Sequence, residues 1–251
     1  LAGLVPAGST VLVVGGEGLT TEVERAGFVV TRSGLDLPAA VIQGFHPSVG
    51  WEHLAEAAFT LNAPGGESVV WVATNTDWTI PQARGTAPGN GTLVSAVHTA
   101  VGRLPIVAGK PEVAIYEEAF ARYGTRRALM IGDRMDTDIL GANRAGIPSV
   151  LVLTGIDRAK QVLASAPTER PTYLLEDLRG LHEVYPETVE ETTADGSIVT
   201  VGTASVRRAG AVLTVERAGT PIDLLRAGAT AIWNSGLAIY GLDVPPALYA
   251  E

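Results

Sequence analysis

The sequence predicts an α/β protein built on a parallel sheet with helices on both faces. The main observation is that short β-branched runs alternate with amphipathic helical segments from residue 10 to residue 153. This alternation is typical of parallel strands joined by crossover helices. The second observation is size: 251 residues, 46% of them hydrophobic, suffice for one large domain or two smaller ones with buried cores.

The first part of the alternation contains four predicted strands and three predicted helices. Each strand is a short apolar run, and the first run ends at Gly15 and Gly16. The second helix places Leu54, Ala57 and Leu61 on one face. The strands are predicted at residues 10–14, 28–30, 40–42 and 69–73, and the helices at 19–26, 51–61 and 93–101.

The alternation continues with strands at 106–107, 128–131 and 150–153 and helices at 112–123 and 137–145. Near residue 185 the pattern of alternating strands and helices ends. Residues 186–197 are acidic and polar, which is typical of a linker. A hairpin is predicted over 204–208 and 211–215, and a helix over 221–239 with Pro221 in its first turn. We therefore expect residues 185–251 to form a small appended α+β unit.

Composition excludes several classes of function. Asp and Glu number 27 against 18 Lys and Arg, so the net charge of -9 argues against a nucleic-acid partner. Cysteine is absent, which excludes disulfides and thiolate chemistry.

No apolar stretch approaches the ~20 residues of a membrane span and no secretion signal is found, so we expect a cytoplasmic protein without a membrane partner. Because the only methionines are Met130 and Met135, we expect that the sequence is not an intact translation product.

Two nucleotide-binding patterns are incomplete. Gly15-Gly16-Glu17-Gly18 follows a predicted strand, but Thr21 stands where a dinucleotide-binding turn needs its third glycine. Gly109-Lys110 resembles the end of a P-loop, but Pro111 occupies the Ser or Thr position. The four histidines show no H-x-x-x-H spacing, so a histidine metal site is not expected.

Two acidic residues mark a predicted metal site. Asp133 follows the carboxyl end of the strand predicted at 128–131, at the edge where open α/β sheets bind ligands. Asp138 lies five residues further on and can point back to the same strand end. Carboxylates beside an open position suit Mg²⁺, which keeps waters and a phosphate oxygen as ligands. The alternative is that Asp136 and Thr137 only cap the following helix.

Lys110 follows the end of another predicted strand, the one at residues 106–107. Only two lysines occur in the chain, Lys110 and Lys160, so a lysine at a strand end suggests a compact positive charge for phosphate. The alternative is a solvated loop lysine.

These blocks together resemble the haloacid dehalogenase (HAD) superfamily of phosphatases, and most closely subclass IIA. This subclass includes nitrophenyl phosphatases and glycerol-3-phosphate phosphatases. The resemblance covers about residues 5–184. The blocks that carry it are Gly109-Lys110-Pro111, Gly132-Asp133-Arg134, Thr137-Asp138-Ile139, Ala73-Thr74-Asn75-Thr76-Asp77, Pro88-Gly89-Asn90-Gly91 and Leu151-Val152-Leu153-Thr154-Gly155.

The resemblance implies a domain organisation and a role for each site residue. Residues 1–103 would be an α/β cap domain and residues 104–184 the C-terminal half of the catalytic core. Lys110 would bind phosphate, Asp133 would hold Mg²⁺ and Asp138 would be its supporting acid. Asn75 and Asp77 would contact the substrate from the cap. Ile80 lies near the position of a histidine in pyridoxal phosphate phosphatases, which argues against that substrate.

The family's N-terminal D-x-D-G motif, with its nucleophile and its general acid, is not found in this sequence. The resemblance thus implies a Mg²⁺-dependent hydrolase of small phosphomonoesters, such as polyol or sugar phosphates, acting through an aspartyl phosphate. We expect these 251 residues to be inactive alone and the missing half-core to precede Leu1.

Two alternatives stay open from the sequence. One is a catalytically silent binding or regulatory protein, supported by the missing nucleophile. The other gives residues 186–251 a function of their own, for which we expect a structural or regulatory appendage. The oligomeric state is open, with a homodimer through the cap as one arrangement.

Overall fold

A five-stranded parallel sheet forms the centre of residues 1–118 in the computed structural model, which describes residues 1–249. The strands of this first unit are β1 (Thr10–Val14), β2 (Val29–Thr31), β3 (Ala40–Gln43), β4 (Val70–Ala73), β5 (Thr79–Gln82), β6 (Gly85–Pro88) and β7 (Ile106–Val107). The order in the parallel sheet is β2-β1-β3-β4-β7, and β5 pairs with β6 in a separate antiparallel hairpin.

Helices cover both faces of this sheet, as predicted. They are α1 (Glu17–Arg25), α2 (Trp51–Asn62) and α3 (Asn90–Val101). Side chains alternate between the two faces along each strand. Val11 and Val13 of β1 pack with Val23 of α1 in one core. Leu12 and Val14 pack on the other face, in a core that includes Ala57, Leu61, Val94 and Val97 from α2 and α3.

The β5–β6 hairpin was not predicted, because no strand was expected between residues 73 and 93. The hairpin pairs Thr79 with Pro88 and Gln82 with Gly85. Most of its side chains are exposed, so no apolar alternation reveals the strands in the sequence.

Residues 119–249 form a second unit with its own three-stranded parallel sheet. Helix α4 (Ala114–Tyr123) contains the boundary between the two units. The strands are β8 (Met130–Gly132), β9 (Ser149–Val152) and β10 (Tyr173–Leu175), in the sheet order β10-β9-β8. A π-helical turn at Met135–Ile139 leads from β8 into α5 (Leu140–Ala145), and α6 (Ala159–Ala164) follows β9.

The C-terminal residues form a four-stranded antiparallel sheet with one long helix. The strands are β11 (Thr188–Thr192), β12 (Gly196–Val201), β13 (Ala204–Ala209) and β14 (Val212–Arg217), and the helix is α7 (Pro221–Trp233). The predicted hairpin is confirmed as β13 and β14, while the helix ends six residues earlier than its predicted end at 239.

The prediction of a linker over 186–197 is wrong. Residues Thr188–Thr192 form β11, which pairs with β12 in antiparallel register. Thr188 lies opposite Val201 at one end, and Thr192 lies opposite Ser197 at the other. All five side chains of β11 are exposed at the edge of the sheet. Its acidic composition therefore reflects an edge strand that faces solvent, a position where charges oppose aggregation.

One hydrophobic core joins the parallel sheet of the second unit to its C-terminal sheet and helix, and a smaller cluster of Val150, Val152 and Leu175 is separate from it. Ile139, Leu151 and Val162 lie in the same cluster as Val206 and Leu225 from the C-terminal sheet and α7.

Strand β7 lies beside β4 in the sheet of the first unit. The domain limits at 103/104 and 184/185 stay predictions. None of the helices within residues 1–249 is both long enough and apolar enough to cross a bilayer.

Candidate functional site

The carboxyl ends of β4 and β7 bring Asn75, Asp77 and Lys110 to one edge of the first sheet. The two strands are parallel neighbours, with Ala73 opposite Val107. Their outgoing loops touch, because a Cβ atom on Gly109 would lie 1.9 Å from the carbonyl oxygen of Thr74. Only glycine permits this approach, so Gly109 sets Lys110 beside the segment that carries Asn75.

The Asn75 side chain organises its own loop. Its Oδ1 accepts a hydrogen bond from the backbone N–H of Asp77 at 3.2 Å, which forms an Asx turn. Its backbone carbonyl accepts a hydrogen bond from Nδ2 of Asn90 at 2.8 Å. Asn90 was quoted in the sequence only as part of a family block, so its contact with this loop was missed. Lys110 is half-buried at the same edge and precedes a cis peptide bond to Pro111.

Asp133 lies at the corresponding edge of the sheet in the second unit. It follows β8, whose last residue, Gly132, pairs with Leu151 of β9. Its Oδ2 accepts a hydrogen bond from the backbone N–H of Ile156 at 3.0 Å. Its backbone carbonyl accepts one from the N–H of Asp157 at 3.1 Å. The loop after β9 thus holds Asp133 in place.

Asp138 is buried beneath this strand end, with 2% of its surface exposed. Its Oδ2 accepts hydrogen bonds from the backbone N–H groups of Asp133 and Arg134, both at 3.1 Å. A Cβ atom on Gly132 would lie 2.3 Å from this oxygen, so the backbone and the carboxylate are in close contact. Asp138 therefore shapes the turn that presents Asp133.

The alternative in which Asp136 and Thr137 cap the helix is wrong. The Asp136 carboxylate instead accepts hydrogen bonds from Nε and Nη2 of Arg134, at 3.0 and 2.7 Å. The hydroxyl of Thr137 is buried and has no hydrogen-bond partner within residues 1–249. Asp138 accepts from two of the backbone donors at this turn, those of Asp133 and Arg134.

Asp157 adds a third carboxylate to this strand end, and the sequence analysis did not single it out. Its Oδ2 accepts a hydrogen bond from the backbone N–H of Met135 at 2.6 Å. Burial raises the pKa of Asp157, and the negative charges of Asp136 and Asp133 add to the rise, against the opposing effects of Met135 and Arg134. The only sequence signal was an acidic residue five positions after the end of β9.

A divalent cation fits this strand end through a single carboxylate. The hydrogen bonds that Asp133 accepts through its side chain, in the part of the chain that the structure describes, involve Oδ2, which leaves Oδ1 for a metal. A Cβ atom on Gly155 would lie 2.0 Å from Oδ2, so glycine makes the cradle for this carboxylate. No group of three or more His, Asp or Glu residues within 1–249 is arranged to hold a metal. One carboxylate oxygen is nevertheless a normal contribution to Mg²⁺, which retains waters and phosphate oxygens.

The predicted site residues fall into two groups, one in each unit of the structure. Asn75, Asp77 and Lys110 belong to the first unit, and Asp133 and Asp138 belong to the second. In each group the residues lie where parallel strands end, the usual position for ligand sites in open α/β sheets.

Comparison with known proteins relates this chain to phosphatases. Residues 107–181 match the model of a HAD-hydrolase-like family. The chain is similar to D-glycerol 3-phosphate phosphatase of Mycobacterium tuberculosis, with 43% identity over 244 residues that cover 95% of this chain and 67% of that protein.

Solved structures give the same result. The crystal structure of glycerol phosphate phosphatase from Mycobacterium tuberculosis in complex with magnesium has a TM-score of 0.78 and 39% identity, covering 95% of this chain and 69% of that one. The 4-nitrophenylphosphatase from Thermotoga maritima has a TM-score of 0.63 and 26% identity, covering 70% of this chain and 65% of that one. The chain thus spans about two thirds of the length of these relatives.

Proposed function

Because this chain belongs to the HAD-like hydrolase family of phosphatases, we propose that it carries the metal-binding and substrate-binding residues of a Mg²⁺-dependent phosphomonoesterase. The observation that carries the proposal is Asp133 at the end of β8, with Oδ2 fixed by Ile156 and Oδ1 left for a cation. A carboxylate at this position is what the resemblance assigns to the metal.

The proposed substrate is a small phosphomonoester, with glycerol phosphate preferred. Support comes from the alignment with a D-glycerol 3-phosphate phosphatase over 95% of this chain. The acidic chain and the loops at Asn75 and Lys110 fit a small polar ester better than a nucleic acid. Other polyol and sugar phosphates belong to the same chemical class.

Each residue of the site has a proposed role in phosphoryl transfer. Asp133 holds the cation through Oδ1, and Asp138 keeps the Asp133 backbone in position. Lys110 places a positive charge against the phosphoryl oxygens. Asn75 and Asp77 contact the alcohol portion of the substrate. Mg²⁺, when bound, supplies positive charge that stabilises the developing negative charge on the phosphoryl group.

We assign no nucleophile within these 251 residues. The family's D-x-D-G motif is not found here, and Oδ2 of Asp138 is occupied by two backbone N–H groups. Asp133 cannot both hold the cation and attack phosphorus in line. We therefore propose that an aspartyl phosphate forms on a carboxylate outside this sequence, and that the 251-residue chain alone has no measurable turnover.

The test compares the 251-residue chain with the product of the complete reading frame. Hydrolysis of nitrophenyl phosphate and glycerol phosphate is measured with Mg²⁺ for both proteins. In the complete product, Asp133→Asn should reduce kcat by about 10²-fold or more, because even residues that only support metal ligands typically contribute 10–100-fold. Asp136→Asn is the matched control, since this exposed carboxylate pairs with Arg134 and has no proposed role in catalysis, so activity should stay nearly unchanged.

Three results would contradict the proposal. Robust turnover by the 251-residue chain would place the nucleophile within it. Full activity in Asp133→Asn would remove the metal assignment. A complete product without phosphatase activity would favour the silent binding or regulatory protein. A cytoplasmic location and a homodimer through residues 1–103 stay predictions of the sequence.

A further inference from the structure

Asn90, the first residue of α3, is a buried polar residue that ties two strand ends together. Only 1% of its surface is exposed. Its Nδ2 donates to the carbonyl oxygen of Asn75 at 2.8 Å and lies 3.4 Å from the carbonyl oxygen of Gln43. The carboxamide thus connects the start of α3 to the ends of β3 and β4.

The backbone next to Asn90 adds further bonds to the same loop, residues 74–78, which we call the substrate loop. The N–H of Gly91 donates to the carbonyl oxygen of Asp77 at 2.9 Å, and the N–H of Gly89 donates to that of Trp78 at 2.9 Å. The hydroxyl of Thr92 also donates to Trp78, at 2.6 Å.

These contacts need the glycines on either side of Asn90. A Cβ atom on Gly89 would lie 2.2 Å from the carbonyl oxygen of Asp77, and one on Gly91 would lie 2.3 Å from that of Thr76. No side chain caps α3 at its N-terminus, where Gly89 is the capping residue. N–H groups at a helix start need acceptors outside the helix, and here the substrate loop supplies one for Gly91.

The substrate loop is therefore fixed through the carbonyl groups of Asn75, Asp77 and Trp78, all bonded to residues 89–92. The Trp78 side chain nevertheless remains 58% exposed. A loop with a rigid backbone and exposed side chains is suited to discriminate between ligands. Changing the conformation of such a loop to fit a different ligand would cost binding free energy.

We propose that Asn90 is a positioning residue that holds the substrate loop in the conformation selecting the alcohol portion of the substrate. This inference rests on the proposed function, in which Asn75 and Asp77 contact that portion. Asn90 acts through the carbonyl of Asn75 and does not touch the substrate itself. Its loss should change which ester is preferred and should not lower all activities equally.

The variants separate positioning from simple stabilisation of the fold. Asn90→Asp keeps the size of the side chain but replaces the donating NH₂ group with an acceptor, and Asn90→Ser is a smaller second variant. Asn62→Ala is the matched control. Asn62 also donates through Nδ2 to a backbone carbonyl, that of Ala100 at 3.2 Å, but near the opposite end of α3.

The first measurement is amide hydrogen exchange on the 251-residue chain. In Asn90→Asp, the amides of Gly89 and Gly91 should exchange about tenfold faster or more, because local opening of the loop becomes easier. Asn62→Ala should leave these two amides unchanged. Unchanged exchange in both Asn90 variants would show that Asn90 does not hold the loop, and would overturn the proposal.

The second measurement uses the product of the complete reading frame. The ratio of kcat/KM for glycerol phosphate to that for nitrophenyl phosphate should fall about tenfold in Asn90→Asp, since small displacements of positioning groups have effects of this size or larger. An equal loss for both esters would indicate a purely structural role and overturn the proposal. If the unaltered complete product hydrolysed neither ester, the proposed function would fail, and hydrogen exchange would still decide whether Asn90 holds the loop.

Discussion

Gly155 lies against the carboxylate of Asp133, so closely that a Cβ atom on Gly155 would be 2.0 Å from Oδ2 of Asp133. The next residue, Ile156, donates its backbone N–H to the same oxygen at 3.0 Å. The orientation of the proposed metal ligand therefore depends on a glycine twenty-two residues further along the chain. This relationship leads to the first prediction.

Gly155→Ala should displace the Asp133 carboxylate and weaken Mg²⁺ binding. We expect the Mg²⁺ concentration for half-maximal activity of the complete product to rise about 10–100-fold, as for other residues that orient metal ligands. Gly241→Ala is the control in the same unit, because a Cβ atom there meets nothing within 4 Å. An unchanged Mg²⁺ dependence in Gly155→Ala would show that Asp133 is not a ligand in this orientation.

Asp138→Ala should destabilise the protein, whereas Asp138→Asn should be tolerated better. Alanine leaves the N–H groups of Asp133 and Arg134 without their acceptor, at a cost of about 1–3 kcal/mol in the free energy of unfolding. Asparagine retains an oxygen that can accept from both groups. Urea unfolding of the 251-residue chain measures the difference, with Asp136→Ala as the exposed control. Equal stability of the Asp138→Ala variant and the parent would contradict the structural role.

Gln43→Leu should stabilise the first unit. The Gln43 side chain is 0% exposed, and neither its amide nitrogen nor its amide oxygen has a hydrogen-bond partner within the described residues. Removing such a group relieves a desolvation penalty of about 1–3 kcal/mol. The urea midpoint of the 251-residue chain should therefore rise, while Gln82→Leu on exposed β5 should leave it nearly unchanged. A lower midpoint in Gln43→Leu would show that the amide makes a stabilising contact in solution.

Asp223→Asn should destabilise the second unit in a pH-dependent way. Asp223 is 8% exposed, its Oδ1 accepts a hydrogen bond from Arg226 at 3.1 Å, and its Oδ2 accepts two from Thr203 at 3.0 Å. Burial raises its pKa, but the bonds from Thr203, Thr220 and Arg226 outweigh burial, so the pKa lies below its ordinary value. Removing the charge should reduce the free energy of unfolding by about 3–5 kcal/mol at neutral pH, because the buried Arg226 loses its counter-charge and keeps only the neutral carbonyl of Leu174 and the Tyr185 ring.

The sign of the pH dependence follows from the lowered pKa. The folded state favours the ionised carboxylate, so its stabilisation is present above the unfolded pKa of about 3.9 and is lost as the pH falls through the lower folded value. Urea midpoints of the parent and Asp223→Asn should therefore differ most near pH 7 and converge below pH ~4. Asp195→Asn is the control, since its exposed carboxylate also pairs with an arginine, Arg207. A constant difference between parent and Asp223→Asn down to pH ~2 would contradict this account.

The candidate site was predicted from the sequence only in part. Asp133 and Lys110 were recognised because each follows a short apolar run, and strand ends are where open sheets bind ligands. Asp157 and Asn90 were not recognised as site residues. Their importance depends on contacts with the backbone of Met135 and Asn75, which lie 22 and 15 residues away in the chain.

The sequence by itself determined the alternation of strands and helices. Buried parallel strands require continuous apolar runs, and such runs can be recognised in the order of the residues. The sequence did not reveal β5, β6, β10, β11 or β12. The side chains of β5, β6 and β11 are mostly exposed, and all five strands are defined by pairing with a neighbouring strand. Only the tertiary structure decided that Asp138 serves the backbone and that Gly155 orients Asp133. Hydrogen bonds and close approaches between loops depend on where distant backbone atoms meet, and local residue patterns do not specify those positions.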